Sequence, residues 1–190
     1  MAPKIAIVFY SMYGQIKTLA EAEARGIKAV GGQVDIYQKF SLKMYAPPKS
    51  EYAVAVPDTL KEYDTVLFGV PTRFGNFPAQ WKAFWDATGG IWAAGYLAHH
   101  GTIYVPLGYK TVFSLLSNID ELRGGSPWGE GTFVGADGSW QPTEIKLNLA
   151  EEQGKALYKA VSKVSFASGR HREAHKSNEG PCGLPKCTIL

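Results

Sequence analysis

The chain has 190 residues, of which 45% are hydrophobic and 19% charged, with a formal net charge of +3 at pH 7. These values suit one globular domain with a sizeable core, and so mild a charge gives no indication of a nucleic-acid partner. Both cysteines, Cys182 and Cys187, lie near the C-terminus, which excludes a disulfide scaffold or a cysteine-based site in the body of the chain. Without a signal-peptide pattern or an apolar run of ~20 residues, a cytoplasmic body is expected.

The first half of the chain alternates predicted strands and helices. Residues 4–9 form an apolar run typical of a strand buried on both faces. A helix is predicted over residues 16–30, a second strand over 34–37, and an irregular connection over 41–57. The predicted helix presents one face at helical spacing, formed by Ile16, Leu19, Ala20, Glu23 and Ile27.

The alternation continues in the middle of the chain. A short helix is predicted over residues 58–63 and a third buried strand over 65–70. An aromatic-rich helix is predicted over 78–87, with proline at its start, where proline is tolerated. Residues 102–105 are predicted to be the next strand.

The last part of the chain divides into a loop, a helix and a tail. Residues 124–142 are glycine-rich, 144–166 read as an amphipathic helix, and the polar residues 167–190 are expected to be a flexible tail. The body, residues 1–166, is therefore predicted to be one α/β domain: a parallel sheet between two helical layers. Ligands of such folds bind at the carboxyl ends of the strands.

The loop after the first strand is the first candidate site. Hydroxyl and backbone N–H groups at a helix N-terminus favour an anion such as a phosphate. An ordinary turn between strand and helix explains the same sequence equally well, since this is neither a Walker loop nor a dinucleotide fingerprint. The loop consists of Ser11, Met12, Tyr13, Gly14, Gln15 and Ile16.

The loop after the third strand is the second candidate site. Thr72 and Asn76 can hydrogen-bond the edge of a ligand, and Phe74 and Phe77 can pack on a flat ring. Alternatively, this is a tight turn whose aromatic residues belong to the core, as could Trp81, Phe84 and Trp85 on the helix that follows. Both loops fall on the same edge of the predicted sheet, one suited to a phosphate and the other to a planar heterocycle. Together they predict a mononucleotide site.

Several blocks of the sequence resemble the WrbA-type NAD(P)H:quinone oxidoreductases of the flavodoxin-like superfamily, and most of all their fungal branch. The blocks are YSMYGQI, PTRFGNFPAQWKAFWDATGG, LAHHG, VPLGY and the glycine-rich stretch that begins GGSPWG. The resemblance implies a flavodoxin-like three-layer sandwich with FMN as cofactor and NAD(P)H as electron donor. It also implies two-electron reduction of a quinone in oxidative-stress defence, and assembly into a dimer or tetramer.

The resemblance also implies roles for individual residues, with the flavin rather than a side chain carrying the chemistry. Residues 11–16 would hold the FMN phosphate, although Gln15 stands where many members have histidine. Tyr13 would also help to hold the nicotinamide nucleotide, and Trp92 would lie against the substrate. His99 would reach the flavin, whereas the dipeptide by itself favours a polar helix end without a ligand. The remaining flavin contacts would come from the second loop, at Pro71, Thr72, Arg73, Phe74, Gly75 and Asn76.

One βα unit of the family, about 30 residues, is missing between the GGIW turn and the AHHG turn. The lost segment would carry the fourth strand and the third FMN-binding loop. We therefore expect a sheet of four strands, with residues 102–105 placed beside the third strand by a right-handed crossover, and weak or no FMN binding. An alternative function is that of a scaffold or stress factor with impaired flavin binding. An alternative origin is a splicing or gene-model artefact, which sequencing the transcript would reveal.

The tail carries a further motif. Cys187-Thr188-Ile189-Leu190 fits a CaaX box whose final leucine favours geranylgeranylation, and Cys182 is a candidate palmitoylation site. A chance cysteine in a polar tail is the alternative. Because one lipid chain anchors a protein only marginally, basic residues or a second chain would be needed for stable attachment. The motif predicts attachment to the cytoplasmic face of the plasma membrane.

Overall fold

The computed structural model describes residues 2–39, 52–72, 75–88, 103–122, 124–135 and 137–166. Arg73, Phe74, Trp92, His99 and the predicted tail lie outside these ranges. Within them, no helix is long and apolar enough to cross a membrane. The elements are β1 (Ile5–Phe9), α1 (Gln15–Ala29), β2 (Val34–Gln38), β3 (Ala53–Val54), a 3-10 helix (Pro57–Glu62), β4 (Thr65–Gly69), α2 (Ala79–Ala87), α3 (Phe113–Ser117) and α4 (Glu144–Val161).

The four strands form one parallel sheet in the order β3-β2-β1-β4. β1 lies inside the sheet, with Ile5 opposite Val34 of β2 and Thr65 of β4. All five of its residues are buried, which explains why its sequence is apolar without alternation. The predicted α/β class and the parallel sheet are confirmed. The first predicted strand also lies between the second and the third, as expected.

The two faces of β1 pack against different helices. One face of β1 consists of Ile5, Ile7 and Phe9. These side chains pack with Ile27 of α1 and Leu157 of α4. Val8 faces the other layer, where Trp81 and Phe84 of α2 are buried. Because their side chains fill this core, the interpretation of the α2 aromatic residues as core residues is confirmed.

The prediction of a strand at residues 102–105 is wrong for the residues that the structure describes. Residues 103–105 are not in the sheet, and Ile103 and Tyr104 are exposed. Tyr104 instead donates a hydrogen bond to the carbonyl oxygen of Trp128, and the two rings lie 6.1 Å apart. These contacts hold the segment against a loop rather than against β4. The fourth strand is Ala53–Val54 at the opposite edge, within a stretch that was predicted to be irregular.

Two further boundaries differ from the prediction. α4 ends at Val161, one turn or more before the predicted end at residue 166. The short helix α3 was not predicted. It follows Val112, which is buried with Leu107 against Leu149 of α4, so tertiary packing rather than a long periodic pattern defines it.

Helices α1 and α4 cross in backbone contact at two glycines. A Cβ atom on Gly26 would lie 2.7 Å from the carbonyl carbon of Glu151, and one on Gly154 would lie 2.9 Å from that of Glu23. Real side-chain carbons do not approach a backbone so closely. The crossing therefore requires glycine at both positions, and it fixes where the N-terminus of α1 lies above the sheet.

A chain of hydroxyl groups links β2 to the segment before β4. The Tyr63 hydroxyl donates to Asp35 Oδ2 over 2.8 Å and lies 2.7 Å from the Tyr37 hydroxyl. Burial, and then its hydrogen bonds with Tyr37 and Asp35, raise the pKa of the Tyr63 hydroxyl above its usual range, so it stays protonated.

We expect Tyr63→Phe to lower the free energy of unfolding by about 1–2 kcal/mol, because the hydrogen bonds with Tyr37 and Asp35 both depend on the lost hydroxyl. Urea unfolding followed by circular dichroism measures the effect. Tyr109→Phe is the matched control, since Tyr109 is 56% exposed, and it should change stability by less than about 0.5 kcal/mol. Equal effects of the two substitutions would show that the hydroxyl chain contributes nothing.

Candidate functional site

The loop between β1 and α1 has the geometry of an anion site. Gly14 has φ +92°, a conformation that disfavours any side chain, and its N–H donates to Ser11 Oγ over 3.0 Å. α1 begins at the next residue, Gln15. The N–H groups of the first helical turn have no partner within the helix and carry the positive end of its dipole. A phosphate at this loop would meet both those groups and the Ser11 hydroxyl.

Gln15 holds residues 137–140 against the first loop. Its side chain is buried, and its Nε2 donates to the carbonyl oxygens of Gly138 and Trp140 over 2.7 and 3.1 Å. Gly138 also packs on the ring of Tyr13, which a Cβ atom on that glycine would approach to 3.3 Å. The amide nitrogen of Gln15 thus serves to position residues 137–140, and its predicted contact with a phosphate stays a prediction.

The end of β4 meets the first loop at one cavity. The cavity has a volume of about 1590 Å³ and is lined by Ser11, Met12, Tyr13, Gln15 and Ile16 of the first loop. Pro71 and Thr72, which follow β4, line the same cavity. Since both loops leave the carboxyl ends of neighbouring parallel strands, the sheet brings them together as the sequence indicated.

Other predicted site residues are placed elsewhere or are not described. Gly75 and Asn76 are exposed and do not line the cavity, and Asn76 Oδ1 accepts a hydrogen bond from the N–H of Phe77 over 2.7 Å. Their predicted contacts with a ligand stay predictions. The predicted residues outside the described ranges are Arg73, Phe74, Trp92, His99, Cys182 and Cys187.

An acidic pair in the cavity wall was not recognised as part of a site from the sequence. Glu23 of α1 and Glu130 of the glycine-rich loop both line the cavity, as does Gln153 of α4, whose Oε1 accepts the N–H of Glu130 over 2.7 Å. Burial, and then the charge of Glu130, raise the pKa of Glu23 to about 8. The Glu23 carboxyl is therefore mostly protonated at pH 7. The one available signal was its position on the otherwise apolar face of the predicted helix.

Comparison with known proteins shows the family and the fold of this chain. The family profile described as Flavodoxin matches residues 7–99, which include most of β1, the first loop and β4. Protoplast secreted protein 2 of Saccharomyces cerevisiae is 47% identical, over 85% of this chain and 99% of its own length. NAD(P)H quinone oxidoreductase PST3 of Candida albicans is 49% identical, over 86% of this chain and 100% of its own length. Minor allergen Alt a 7 of Alternaria alternata is also 49% identical.

The chain has a flavodoxin-type fold with its candidate ligand site at the carboxyl ends of the strands. It belongs to the flavodoxin-like family, in the branch that contains the fungal NAD(P)H quinone oxidoreductases. The resemblance read from the sequence is thereby confirmed.

The alignments also show that the relatives have residues without a counterpart in this chain. The match to the yeast relative spans 196 positions but includes only 85% of these 190 residues. That difference agrees with the expected loss of a βα unit.

Proposed function

We propose that this chain is an FMN-dependent NAD(P)H:quinone oxidoreductase that reduces quinones by two electrons and so limits semiquinone radicals under oxidative stress. One observation carries the proposal: the first loop and the end of β4 line a single cavity. The names of relatives that are 41–49% identical support the reaction class, and the flavodoxin profile supports a flavin.

The described residues fit an FMN molecule. The anion-binding geometry at Gly14 and Ser11 suits its terminal phosphate. The cavity that continues from this loop exceeds the ~300–1,000 Å³ typical of ligand pockets. Thr72 at the end of β4 offers a hydroxyl beside that space.

In this proposal each group of residues binds or orients rather than reacts. The first turn of α1 and the Ser11 hydroxyl hold the phosphate, and Gln15 fixes the loop of residues 137–140 above it. Tyr13, which is 52% exposed, offers its ring to the nicotinamide nucleotide, and Trp92 and His99 have the roles that the resemblance implies. Bound FMN would supply the hydride acceptor and donor.

We further propose that the flavin is held weakly. The segment that the sequence lacks between the GGIW and AHHG turns would carry the third flavin-binding loop, so the ring would lack one protein wall. The same observation favours the second candidate function, a flavodoxin-like scaffold that has lost its cofactor. The two functions differ in a measurable quantity, the affinity of the purified chain for FMN.

Gly14→Ala should weaken FMN binding about tenfold, because a side chain at φ +92° costs about 1–3 kcal/mol and would reshape the phosphate loop. Equilibrium dialysis against FMN measures the affinity, and NADH or NADPH oxidation by a benzoquinone should fall with it. Gly31→Ala is the matched control, since Gly31 also has a positive φ, +84°, but follows the other end of α1. FMN binding that is undetectable in the parent chain would favour the scaffold instead.

The predicted membrane association and oligomer are also proposals. We propose that lipid attached to Cys187, aided by Cys182, places the enzyme at the cytoplasmic face of the plasma membrane, and that the chain forms a homodimer or homotetramer. The CaaX-like sequence supports the membrane attachment.

Cys187→Ser should move the protein to the soluble fraction on cell fractionation, whereas Cys182→Ser should do so only in part. A Cys187→Ser variant that stays fully membrane-bound would contradict the anchor, and light scattering of the purified chain tests the oligomer.

A further inference from the structure

The side-chain amide of Gln15 uses both of its protons within the protein. The side chain is 2% exposed, and its Nε2 donates to the carbonyl oxygens of Gly138 and Trp140 over 2.7 and 3.1 Å. A side-chain amide nitrogen carries two protons, and a carbonyl oxygen can only accept. The two bonds therefore fix which end of the amide faces residues 137–140. While both bonds are made, this side chain has no proton left to donate to a phosphate.

The loop that Gln15 holds is shaped by hydrogen bonds among its own residues. Asp137 Oδ1 accepts from the N–H and the hydroxyl of Ser139 over 3.1 and 2.7 Å. The N–H of Gly138 donates to the carbonyl oxygen of Gly135, and both glycines have a positive φ, +75° and +68°. These bonds give the loop its shape but do not attach it to a helix. The bonds from Gln15 connect it with the first residue of α1.

The same loop covers one face of the Tyr13 ring. A Cβ atom on Gly138 would lie 3.3 Å from Cγ of that ring and 3.4 Å from both Cδ1 and Cδ2. Such nearly equal distances place Gly138 above the face of the ring rather than at its edge. Tyr13 is still 52% exposed, so part of the ring stays open to solvent. The position of the loop therefore decides from which side a flat ligand can meet Tyr13.

We propose that Gln15 is a positioning residue for the nicotinamide nucleotide and not a ligand of the flavin phosphate. Its amide holds Gly138 against Tyr13 and so orients the ring that receives the nucleotide. The identity of this ligand rests on the proposed function, whereas the hold on the loop needs no ligand. A ring that is oriented in advance loses less freedom when the nucleotide binds. Loss of the hold should therefore raise the KM for NADH or NADPH more than it changes kcat.

Amide hydrogen exchange of the full chain without flavin tests the hold itself. Gln15→Met keeps the length of the side chain but removes both donors. The N–H groups of Gly138 and Trp140 donate to other residues of the loop, and in this variant we expect them to exchange at least about tenfold faster. Gln33→Met is the matched control, because Gln33 is exposed between α1 and β2, and it should leave their exchange unchanged.

Comparison of FMN with riboflavin, which lacks the phosphate, tests whether Gln15 contacts that group. In equilibrium dialysis, Gln15→Met should change the affinity for both flavins by the same factor, to within about twofold. Ser11→Ala, which removes the hydroxyl beside the proposed phosphate position, should weaken FMN at least about fivefold and spare riboflavin. With FMN in excess and a benzoquinone as acceptor, Gln15→Met should raise the KM for NADH or NADPH at least about threefold and leave kcat within about twofold.

Gly138→Ala loosens the same loop without changing Gln15. Its methyl group would press on Tyr13, and its φ of +75° disfavours a side chain. It should reproduce the faster exchange at Trp140 and the higher KM, and it decides the matter if Gln15→Met does not fold.

Three results would overturn the proposal: unchanged exchange of the loop in Gln15→Met, a loss of FMN affinity without a loss of riboflavin affinity in that variant, or a fall in its kcat at unchanged KM. A parent chain that binds no flavin would refute the proposed function instead. The exchange measurement, which uses no flavin, would then still decide whether Gln15 holds the loop.

Discussion

Gly154→Ala lowers the free energy of unfolding by about 2–3 kcal/mol, although alanine favours an isolated helix over glycine by about 1 kcal/mol. The new methyl group would enter the backbone of Glu23 on α1, so the two helices must separate. Cores that are packed to native density tolerate such a shift poorly. Because the loop proposed to bind the FMN phosphate lies at the N-terminus of α1, we expect FMN affinity to fall as well. Urea unfolding at pH 6 and equilibrium dialysis measure the two effects.

Asn148→Ala is the control for this prediction. Asn148 is exposed on the same helix, so the substitution should leave stability unchanged or raise it by a few tenths of a kcal/mol. Gly26→Ala, on the other helix of the crossing, should reproduce the loss because its methyl group would meet the backbone of Glu151. A Gly154→Ala protein as stable as the parent would mean that the helices do not cross in backbone contact.

Glu23→Gln makes the protein more stable at pH 8 than the parent chain and removes much of its pH dependence. The Glu23 carboxyl has a pKa of about 8 in the folded protein, against 4.5 for the ordinary group. Between these values the unfolded chain releases a proton that the folded chain keeps, so the parent's stability falls as pH rises. The slope is at most about 1.4 kcal/mol per pH unit. Since the cavity beside Glu23 admits water, we expect a total loss of about 2 kcal/mol.

Urea unfolding of parent and variant at pH 5.5, 7 and 8 provides the measurement, and the difference between the two proteins cancels the titration of all other groups. Glu62→Gln is the control, because Glu62 is exposed on the 3-10 helix and should leave the pH dependence unchanged. Parallel pH profiles for the parent and Glu23→Gln would show that Glu23 titrates normally.

The sequence was sufficient for the parts of the fold that rest on local patterns. β1 and β4 are continuous apolar runs, and α1 has an apolar face with glycines directly after it, so their positions could be predicted to within a few residues. The convergence of the first loop with the end of β4 followed from the parallel order alone.

Features that depend on tertiary contacts could not be predicted. Residues 103–105 are apolar and suit a strand, but a strand also needs a neighbour to pair with, and the hydrogen bond of Tyr104 to Trp128 holds the segment elsewhere. Glu23 looked like one polar residue on an apolar face, and only the approach of Glu130 from a loop more than 100 residues later in the chain makes it part of an acidic pair. Gly154 gave no local sign that it touches α1.

The most direct test of the proposed function is the rate of NADH or NADPH oxidation by a benzoquinone as a function of added FMN. The purified chain should be nearly inactive after dialysis and should gain activity with added FMN until the activity saturates, because the proposed flavin site holds FMN weakly. Gly14→Ala should shift that saturation to higher FMN, and Gly31→Ala should not. Oxidation that never exceeds the rate with free FMN alone would contradict the assignment of this chain as a quinone oxidoreductase.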